Sequence, residues 1–213
     1  MARGIFITFE GSEGCGKSSH IKSLAEYFKS AGKSCVVTRE PGGTPLSERI
    51  RNILLHASDG EKISPKAEIL LFAAARAQHV EELIKPALAA GNIVISDRFY
   101  DSTSAYQGVA RNLGSDSVEW LNSFAAAGAT PDLTIVLDVP AELGLARAKS
   151  RDCGAVDRMG AEELSFYESV RGAFLKLAAL NPGRIAVVDS SGAKEDTFEK
   201  ILQAVKGRLD GRL

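Results

Sequence analysis

The shortages in this sequence narrow its possible functions. Only three of its 213 residues are cysteine, Cys15, Cys35 and Cys153. Their number is odd and their spacings unrelated, which fits neither a disulfide framework nor a cysteine metal site. No sign of charge dominates: 26 Lys and Arg stand against 27 Asp and Glu, for a formal net charge of −1. A global positive field able to hold a nucleic-acid backbone is therefore missing, although local basic clusters can still grip small anions. No stretch approaches the roughly 20 consecutive apolar residues that span a bilayer. The opening residues, Met1 to Ile7, run into strand-like sequence with no apolar run and small-residue cleavage site. A reducing cytoplasm is the expected location, with no membrane and no nucleic acid as partner. Repeats, low-complexity tracts and linkers are also missing, so one domain over residues 1–213 is expected. His20, His56 and His79 form no metal-ligand constellation, and the single tryptophan, Trp120, is expected to be a packing residue.

Hydrophobic residues make up 45% of the chain, enough for a full core. Five short β-rich runs alternate with helical stretches: Ile5–Glu10, Cys35–Thr38, Ile93–Ser96, Leu133–Leu137 and Ile185–Val188. Short, nearly continuous apolar strands suit a parallel sheet covered on both faces. Between them, helices are predicted over Ser18–Ser30, Pro45–Ala57, from Ser64-Pro65 onward, Ser117–Ala127, Ala141–Lys149, Glu162–Leu180 and Asp196–Leu209. Ser64 reads as an N-cap with Pro65 at the first helical position. Pro86 falls inside a helical pattern and predicts a break or kink. The expected fold is α/β: a doubly wound, five-stranded parallel sheet flanked by helices.

Gly11-Ser12-Glu13-Gly14-Cys15-Gly16-Lys17-Ser18 matches G-x-x-x-x-G-K-[ST] and sits between a predicted strand and a predicted helix, the context the motif requires. Its glycines let backbone N–H groups curl around phosphate oxygens, and the following helix adds its positive end. Lys17 supplies an ammonium for the terminal phosphates and Ser18 a hydroxyl for Mg²⁺. Cys15 occupies a variable position and reads as spatial filler. The loop alone does not separate a kinase from a GTPase or a motor, but the N-K-x-D run that GTPases use for guanine is missing.

Asp97-Arg98 ends the third apolar run, where a carboxylate can hold Mg²⁺ and an arginine can clamp a second phosphate bidentately. Arg39-Glu40-Pro41-Gly42-Gly43-Thr44 leaves the second strand at its carboxyl end. Arg49 and Arg51 follow two positions apart and cannot share a helix face, so one of them is expected to serve the site. Phe72 and Arg76, four apart, do share a face; spacing alone favours a core phenylalanine with a snorkelling arginine over a base-stacking pair. Arg147, Lys149, Arg151 and Arg158 surround the breaker-like Asp152-Cys153-Gly154. From charge alone this is a solvated helix end; with a phosphate loop present it can also be a lid.

Together these segments, with Glu68-Ile69-Leu70-Leu71-Phe72-Ala73-Ala74-Ala75-Arg76 and Ala105-Tyr106-Gln107-Gly108, resemble the bacterial thymidylate kinases, within the P-loop nucleoside monophosphate kinases, along almost the whole chain. The Arg-Glu-Pro-Gly-Gly-Thr segment with the Phe72/Arg76 pair is the specific part. The resemblance implies transfer of the γ-phosphate of ATP, with Mg²⁺, to dTMP, giving dTDP on the route to dTTP. It implies that Phe72 stacks on thymine, Arg76 bonds its O4, Thr103 and Gln107 face the base edge, and Tyr106 crowds the 2′ position. Arg51 and Arg98 would hold the dTMP phosphate, Glu13 would lie near its sugar and the metal, and Arg39 and Glu40 would shape the pocket. A lid over about 147–160 would supply the catalytic arginine, Arg151, with Arg147 and Arg158 as alternatives or adenine-side contacts. A homodimer is implied as well.

Overall fold

Strands β1 (Phe6–Glu10), β2 (Cys35–Arg39), β3 (Ile93–Asp97), β4 (Leu133–Asp138) and β5 (Ile185–Asp189) pair side by side in the order β2-β3-β1-β4-β5. Every pairing is parallel. The structure, a computed structural model, describes residues 3–56, 62–151, 162–209 and 211–212, and of Arg151 the backbone only. Helices α1 (Lys17–Ser30), α2 (Pro45–Leu55), α3 (Pro65–His79), α4 (Lys85–Ala89), α5 (Tyr100–Thr103), α6 (Ser115–Ala126), α7 (Ala141–Arg151), α8 (Leu164–Leu180) and α9 (Lys194–Leu209) complete it. Among the described residues, no helix is long and apolar enough to cross a membrane.

Side chains of a strand alternate between the two faces of the sheet, and the core divides accordingly. Ile7, Phe9, Ile95, Ile135 and Leu137 pack with Leu24 and Phe28 of α1 and with Ile201 and Val205 of α9. On the other face Phe6 and Val94 meet Val80, Ile84, Leu88 and Phe99, while Val136 and Ile185 meet Val170 and Phe174 of α8. Each such side chain stabilises the fold by about 1.5–3 kcal/mol relative to exposure. This second face also carries buried polar residues, Thr8, Glu10, Ser96 and Thr134. Their bonds reach sideways: Thr8 and Thr134 share a hydroxyl hydrogen bond of 2.7 Å, and Thr134 bonds the Asp101–Arg184 pair.

The chain leaves β1 toward β2 on one side and, after β3, returns to β4 on the other. The carboxyl ends of β1 and β3 therefore flank the switch point at which ligands bind in open parallel sheets. Register sets Asp97 beside Phe9 on one neighbour and Arg39 on the other.

Three local features refine the expectations. The disturbance expected at Pro86 takes the form of a π-helical turn: α3 runs through Val80–Ile84 into α4, with Pro86 in the first turn of α4. Proline has no N–H to donate and its ring crowds the carbonyl four residues back. The wider turn before it, closed by the Lys85 N–H on the Val80 carbonyl, relieves that crowding. Second, the Tyr106-Gln107-Gly108 segment, for which no element was predicted, lies in a further π-helical turn, Ser104–Ala110, that continues α5. Third, Trp120 is not interior: it is 67% exposed on α6, its ring stacked on Phe124. It lies opposite the face that buries Val118, Asn122 and Ala125, as helical periodicity requires of a residue two positions from Val118.

Candidate active site

β1 runs out at Glu10, and the next six residues turn back on themselves before α1 begins at Lys17, behind a left-handed Gly16 with φ 89°. Gly14, at φ 68°, shows why the loop needs glycine: a Cβ there would lie 1.9 Å from the Gly144 carbonyl of α7. The loop is thus seated on the first turns of α7. Lys17 is buried, and its Nζ donates to the carbonyls of Gly11 (3.1 Å) and Ser12 (3.0 Å) and contacts Cys15 Sγ (3.4 Å). Cys15 fills the space beneath Gly11, as its variable position suggests. The Ser18 hydroxyl donates to Asp97 Oδ2 at 3.2 Å. A helix N-terminus, a buried ammonium and inward backbone N–H groups make a cradle for an anion.

Arg98, one residue past β3, stands in left-handed backbone at φ 70°, a conformation costing about 1–3 kcal/mol in a residue with a side chain. Its N–H is held by the Phe9 carbonyl at 2.9 Å, and its own carbonyl accepts from the Ser96 hydroxyl at 2.7 Å. The guanidinium donates to Gly11 O (3.0 Å), Ser102 Oγ (3.1 Å) and Glu13 Oε1 (2.7 Å). Burial alone would lower its pKa, but Tyr106, Glu13, Asp97 and Glu10 outweigh that and raise it well above the ordinary arginine value. Arg98 therefore keeps its charge beside the phosphate loop.

The Arg39–Thr44 loop folds over the next station. Gly43 donates its N–H to Glu48 Oε1 at 2.9 Å, and the same carboxylate takes Arg39. Thr44 caps α2, and Arg51 of that helix donates to the Pro41 carbonyl at 2.9 Å. Arg49 is exposed, whereas Arg51 lines the cleft. Arg76 does not snorkel: it is 2% exposed, with Nε on Glu40 Oε2 (2.8 Å), Nη1 on Asn122 Oδ1 (2.9 Å) and Nη2 on Thr103 Oγ1 (2.9 Å). Since a guanidinium carries five N–H groups, each terminal nitrogen retains one for a ligand. Its cation–π partner is Phe99, 5.3 Å from the ring centroid, and not Phe72.

One continuous cleft of about 1400 Å³ joins these stations. Its walls include Lys17 and Ser18 of the phosphate loop, Asp97 and Arg98 after β3, and Phe72, Arg76, Thr103, Tyr106 and Gln107. A site for one small molecule occupies about 300–1,000 Å³; this cleft exceeds that range and has room for two. The family model described as thymidylate kinase matches residues 9–201. The chain belongs to the thymidylate kinase family.

The thymidylate kinase of Geotalea daltonii is 48% identical over 213 residues, covering 98% of this chain and 99% of the relative. That of Geobacter sulfurreducens is 49% identical over 213 residues, covering 98% and 100%. Among solved structures, the thymidylate kinase of Ehrlichia chaffeensis superposes with a TM-score of 0.77 at 33% identity, over 95% of this chain and 99% of that one.

Along the cleft, the structure gathers the expected residues unevenly. Glu13, Arg39 and Glu40 line the cleft with those named above. Gln107 is buried and donates to Glu68 Oε1 at 2.9 Å. The buried Tyr106 hydroxyl has no well-aligned hydrogen-bond partner, and Arg98 packs over its ring at 5.1 Å. Arg147 reaches the far wall, donating to the carbonyls of Ser190 (2.8 Å) and Ser191 (2.7 Å). The Arg151 side chain and all of Arg158 lie outside the described residues.

Sequence reasoning passed over Asn122, His79 and Glu10. Asn122 is the one amide on the buried stripe of α6, and His79 stands three residues past Arg76 on the face of Phe72. Each was legible as a polar residue on an apolar face. Glu10 ends an apolar strand and looks like a surface carboxylate, yet it is fully buried. It accepts from Phe99 N (2.8 Å), Ser102 N (3.3 Å) and Ser102 Oγ (2.5 Å), pinning the turn that carries Arg98. Desolvation and the nearby Asp101 raise its pKa to about 8, against the opposing pull of Arg98 and its hydrogen bonds. The sign follows: an acid raised from its unfolded value near 4.5 stabilises the fold fully below that pH, and the stabilisation is lost as pH rises through 8. Thermal melts from pH 5 to 9 should show wild type losing stability relative to Glu10→Gln, which keeps the shape without the titration. Parallel pH profiles for the two proteins would remove Glu10 as the source.

Proposed function

We propose a division of labour along the cleft in which the phosphate loop holds ATP and the Phe72–Arg76 end holds dTMP, with Arg98 between them. Membership of the family makes the protein an ATP-dependent dTMP kinase, phosphorylating dTMP to dTDP. The observation that carries the residue assignment is the continuity of the cleft, whose single lining includes both the phosphate-loop residues and the Phe72–Arg76 group.

Lys17 would leave the carbonyls of Gly11 and Ser12 for the β- and γ-phosphate oxygens, and the loop backbone would bind the rest of the chain of phosphates. Ser18 and Asp97 offer hard oxygen donors side by side at the mouth of this loop, a donor set that fits Mg²⁺. When bound there with ATP, Mg²⁺ supplies charge neutralisation at the phosphate oxygens. The acceptor oxygen of dTMP is already ionised near neutral pH, so no general base is required. What the protein must supply is alignment and positive charge. Arg98 and Arg51 would hold the acceptor phosphate, Arg98 exchanging Glu13 or Gly11 for it. Glu13 would then face the sugar. The buried, unpartnered Tyr106 hydroxyl supports a role against the deoxyribose, where a 2′-hydroxyl would be crowded. Arg76 would donate its remaining N–H groups to the thymine O4, with Thr103 and Gln107 along the base edge and Phe72 against the ring face. Residues 147–160 would form a lid bringing Arg151 to the transferring phosphate and excluding water. Arg147 supports an adenine-side wall with its hold on the Ser190–Ser191 backbone.

Phe72→Ala tests the acceptor end. Stacking on an aromatic ring is worth about 1–3 kcal/mol per base, so KM for dTMP should rise about 10-fold or more while KM for ATP stays unchanged. An unaltered dTMP KM would remove Phe72 from the base site.

The protein acts in the cytoplasm as a homodimer in this reading. Exposed apolar residues on adjoining helices, Leu70 of α3 with Trp120 and Phe124 of α6, support a covered face. Sedimentation should give twice the 22.6 kDa chain mass, and Trp120→Glu should shift it toward the monomer. A monomeric wild type would discard the dimer.

A further inference from the structure

Arg76 is aimed by a line of buried side chains, of which Glu40 lines the cleft and His79 and Thr38 stand behind it. The Glu40 carboxylate is shared: Oε2 takes Arg76 Nε at 2.8 Å, and Oε1 faces His79 Nδ1 at 3.0 Å. On the far side of the ring, His79 Nε2 lies 2.7 Å from Thr38 Oγ1. All four residues are buried, and His79 is 0% exposed. The line Thr38–His79–Glu40–Arg76 therefore joins the end of β2, the loop after it and two positions of α3. It ends on the guanidinium that Asn122 and Thr103 hold from the other side. Gly43 closes over it: a Cβ there would stand 2.6 Å from both His79 Nε2 and Thr38 Oγ1. This is a physical reason for the second glycine of the Arg-Glu-Pro-Gly-Gly-Thr segment.

The chemistry of the line is directional. An ionised carboxylate only accepts, so Nδ1 carries the hydrogen facing Glu40, and Nε2 of a neutral ring then accepts from the Thr38 hydroxyl. With Oε1 tied to His79, the Glu40 carboxylate cannot turn about its terminal bond. Its second oxygen fixes the plane of the Arg76 fork. Without that tie the carboxylate holding Nε is free to turn, and the fixed partners left, Asn122 and Thr103, both act on the tip of the guanidinium. A guanidinium donates and never accepts. In a fixed plane it therefore rewards a pyrimidine with a carbonyl where it points and penalises one with an amino group there.

We infer that His79 is a positioning residue for acceptor specificity, acting through Glu40 to set the plane in which Arg76 reads the acceptor base. The inference rests on the assignment of Arg76 to the dTMP base. The test compares His79→Asn with His79→Gln. The Asn amide nitrogen falls near the place of Nδ1 and can still donate to Glu40; the Gln amide falls near Nε2 and reaches only Thr38. Steady-state kinetics with dTMP, dCMP and ATP, beside thermal melts, provide the readout. His79→Asn should stay within about 3-fold of wild type in kcat/KM for dTMP. His79→Gln should lose about 10–100-fold, mostly in KM for dTMP, as a misplaced substrate contact does. KM for ATP should not move, and the preference for dTMP over dCMP should shrink. Equal losses in the two variants, or KM values for ATP and dTMP rising in step, would mean that His79 only packs and would overturn the inference. So would a His79→Gln enzyme that behaves as wild type. If His79→Gln does not fold, Thr38→Val, which keeps the volume, decides: a loss confined to dTMP supports the line, and a parallel loss for both substrates overturns it. A wild-type enzyme inactive on dTMP would instead overturn the parent assignment, so the two failures are distinguishable.

Discussion

Lys17→Ala should lower kcat by about 10²–10³-fold, the size seen when one preorganised donor is removed from developing charge, while the protein remains folded. The reasoning starts from the present partners of Lys17. Its Nζ, on a side chain that lines the cleft, is held by two backbone carbonyls, those of Gly11 and Ser12. Their loss costs about 1–2 kcal/mol in total, because water entering the cleft can replace them. For a chain of this size that is a fall in Tm of about 2–8 °C. In the proposed arrangement a phosphate displaces these carbonyl contacts. Turnover near wild type in a folded Lys17→Ala protein would refute the placement of ATP at this loop.

Arg76→Ala should strike both stability and acceptor use. The guanidinium is buried on Glu40, Asn122 and Thr103, and removing one member of a buried ion pair costs about 3–5 kcal/mol, since the other charge is stranded. Tm should fall by roughly 6–20 °C on the same scale. With Arg76 assigned to the acceptor base as proposed, kcat/KM for dTMP should fall further than the melt alone explains, by about 10²-fold at a temperature where the variant is folded. Arg76→Lys should not rescue it, since a single ammonium cannot meet three partners set around a planar fork. Differential scanning calorimetry with dTMP titration reads both effects. A normal melt would contradict the buried pair, and normal dTMP use would contradict its placement.

These two residues also show what the sequence discloses and what it hides. Lys17 was visible at once, because a gapless motif between a strand and a helix leaves few alternatives, and the five strands were visible because β-branched runs bounded by glycine and proline are short and apolar. Arg76 was visible only through resemblance. Its spacing from Phe72 fits a snorkelling arginine equally well, and nothing local reveals that Glu40, thirty-six positions earlier, turns to meet it. Glu10 was hidden for the same reason: a carboxylate at a strand end reads as solvent-facing until α5 is seen to cover it. Pro86 signalled a disturbance but not its form, since a helix can widen for one turn as well as break or kink. Trp120 misled because a large aromatic is expected to pack, whereas the burial of Val118 and Asn122, two positions to either side of it, shows which way α6 faces.

The central claim is that one cleft carries out γ-phosphoryl transfer from ATP to dTMP. Its most direct test is ADP release with Mg-ATP against a panel of dTMP, dUMP, dCMP, AMP, GMP and CMP, with the product identified by mass. The account predicts strong preference for dTMP and a product of the mass of dTDP. Preference for another monophosphate would keep the kinase and contradict the base end of the cleft; transfer to none of them, with ATP still bound, would contradict the account as a whole.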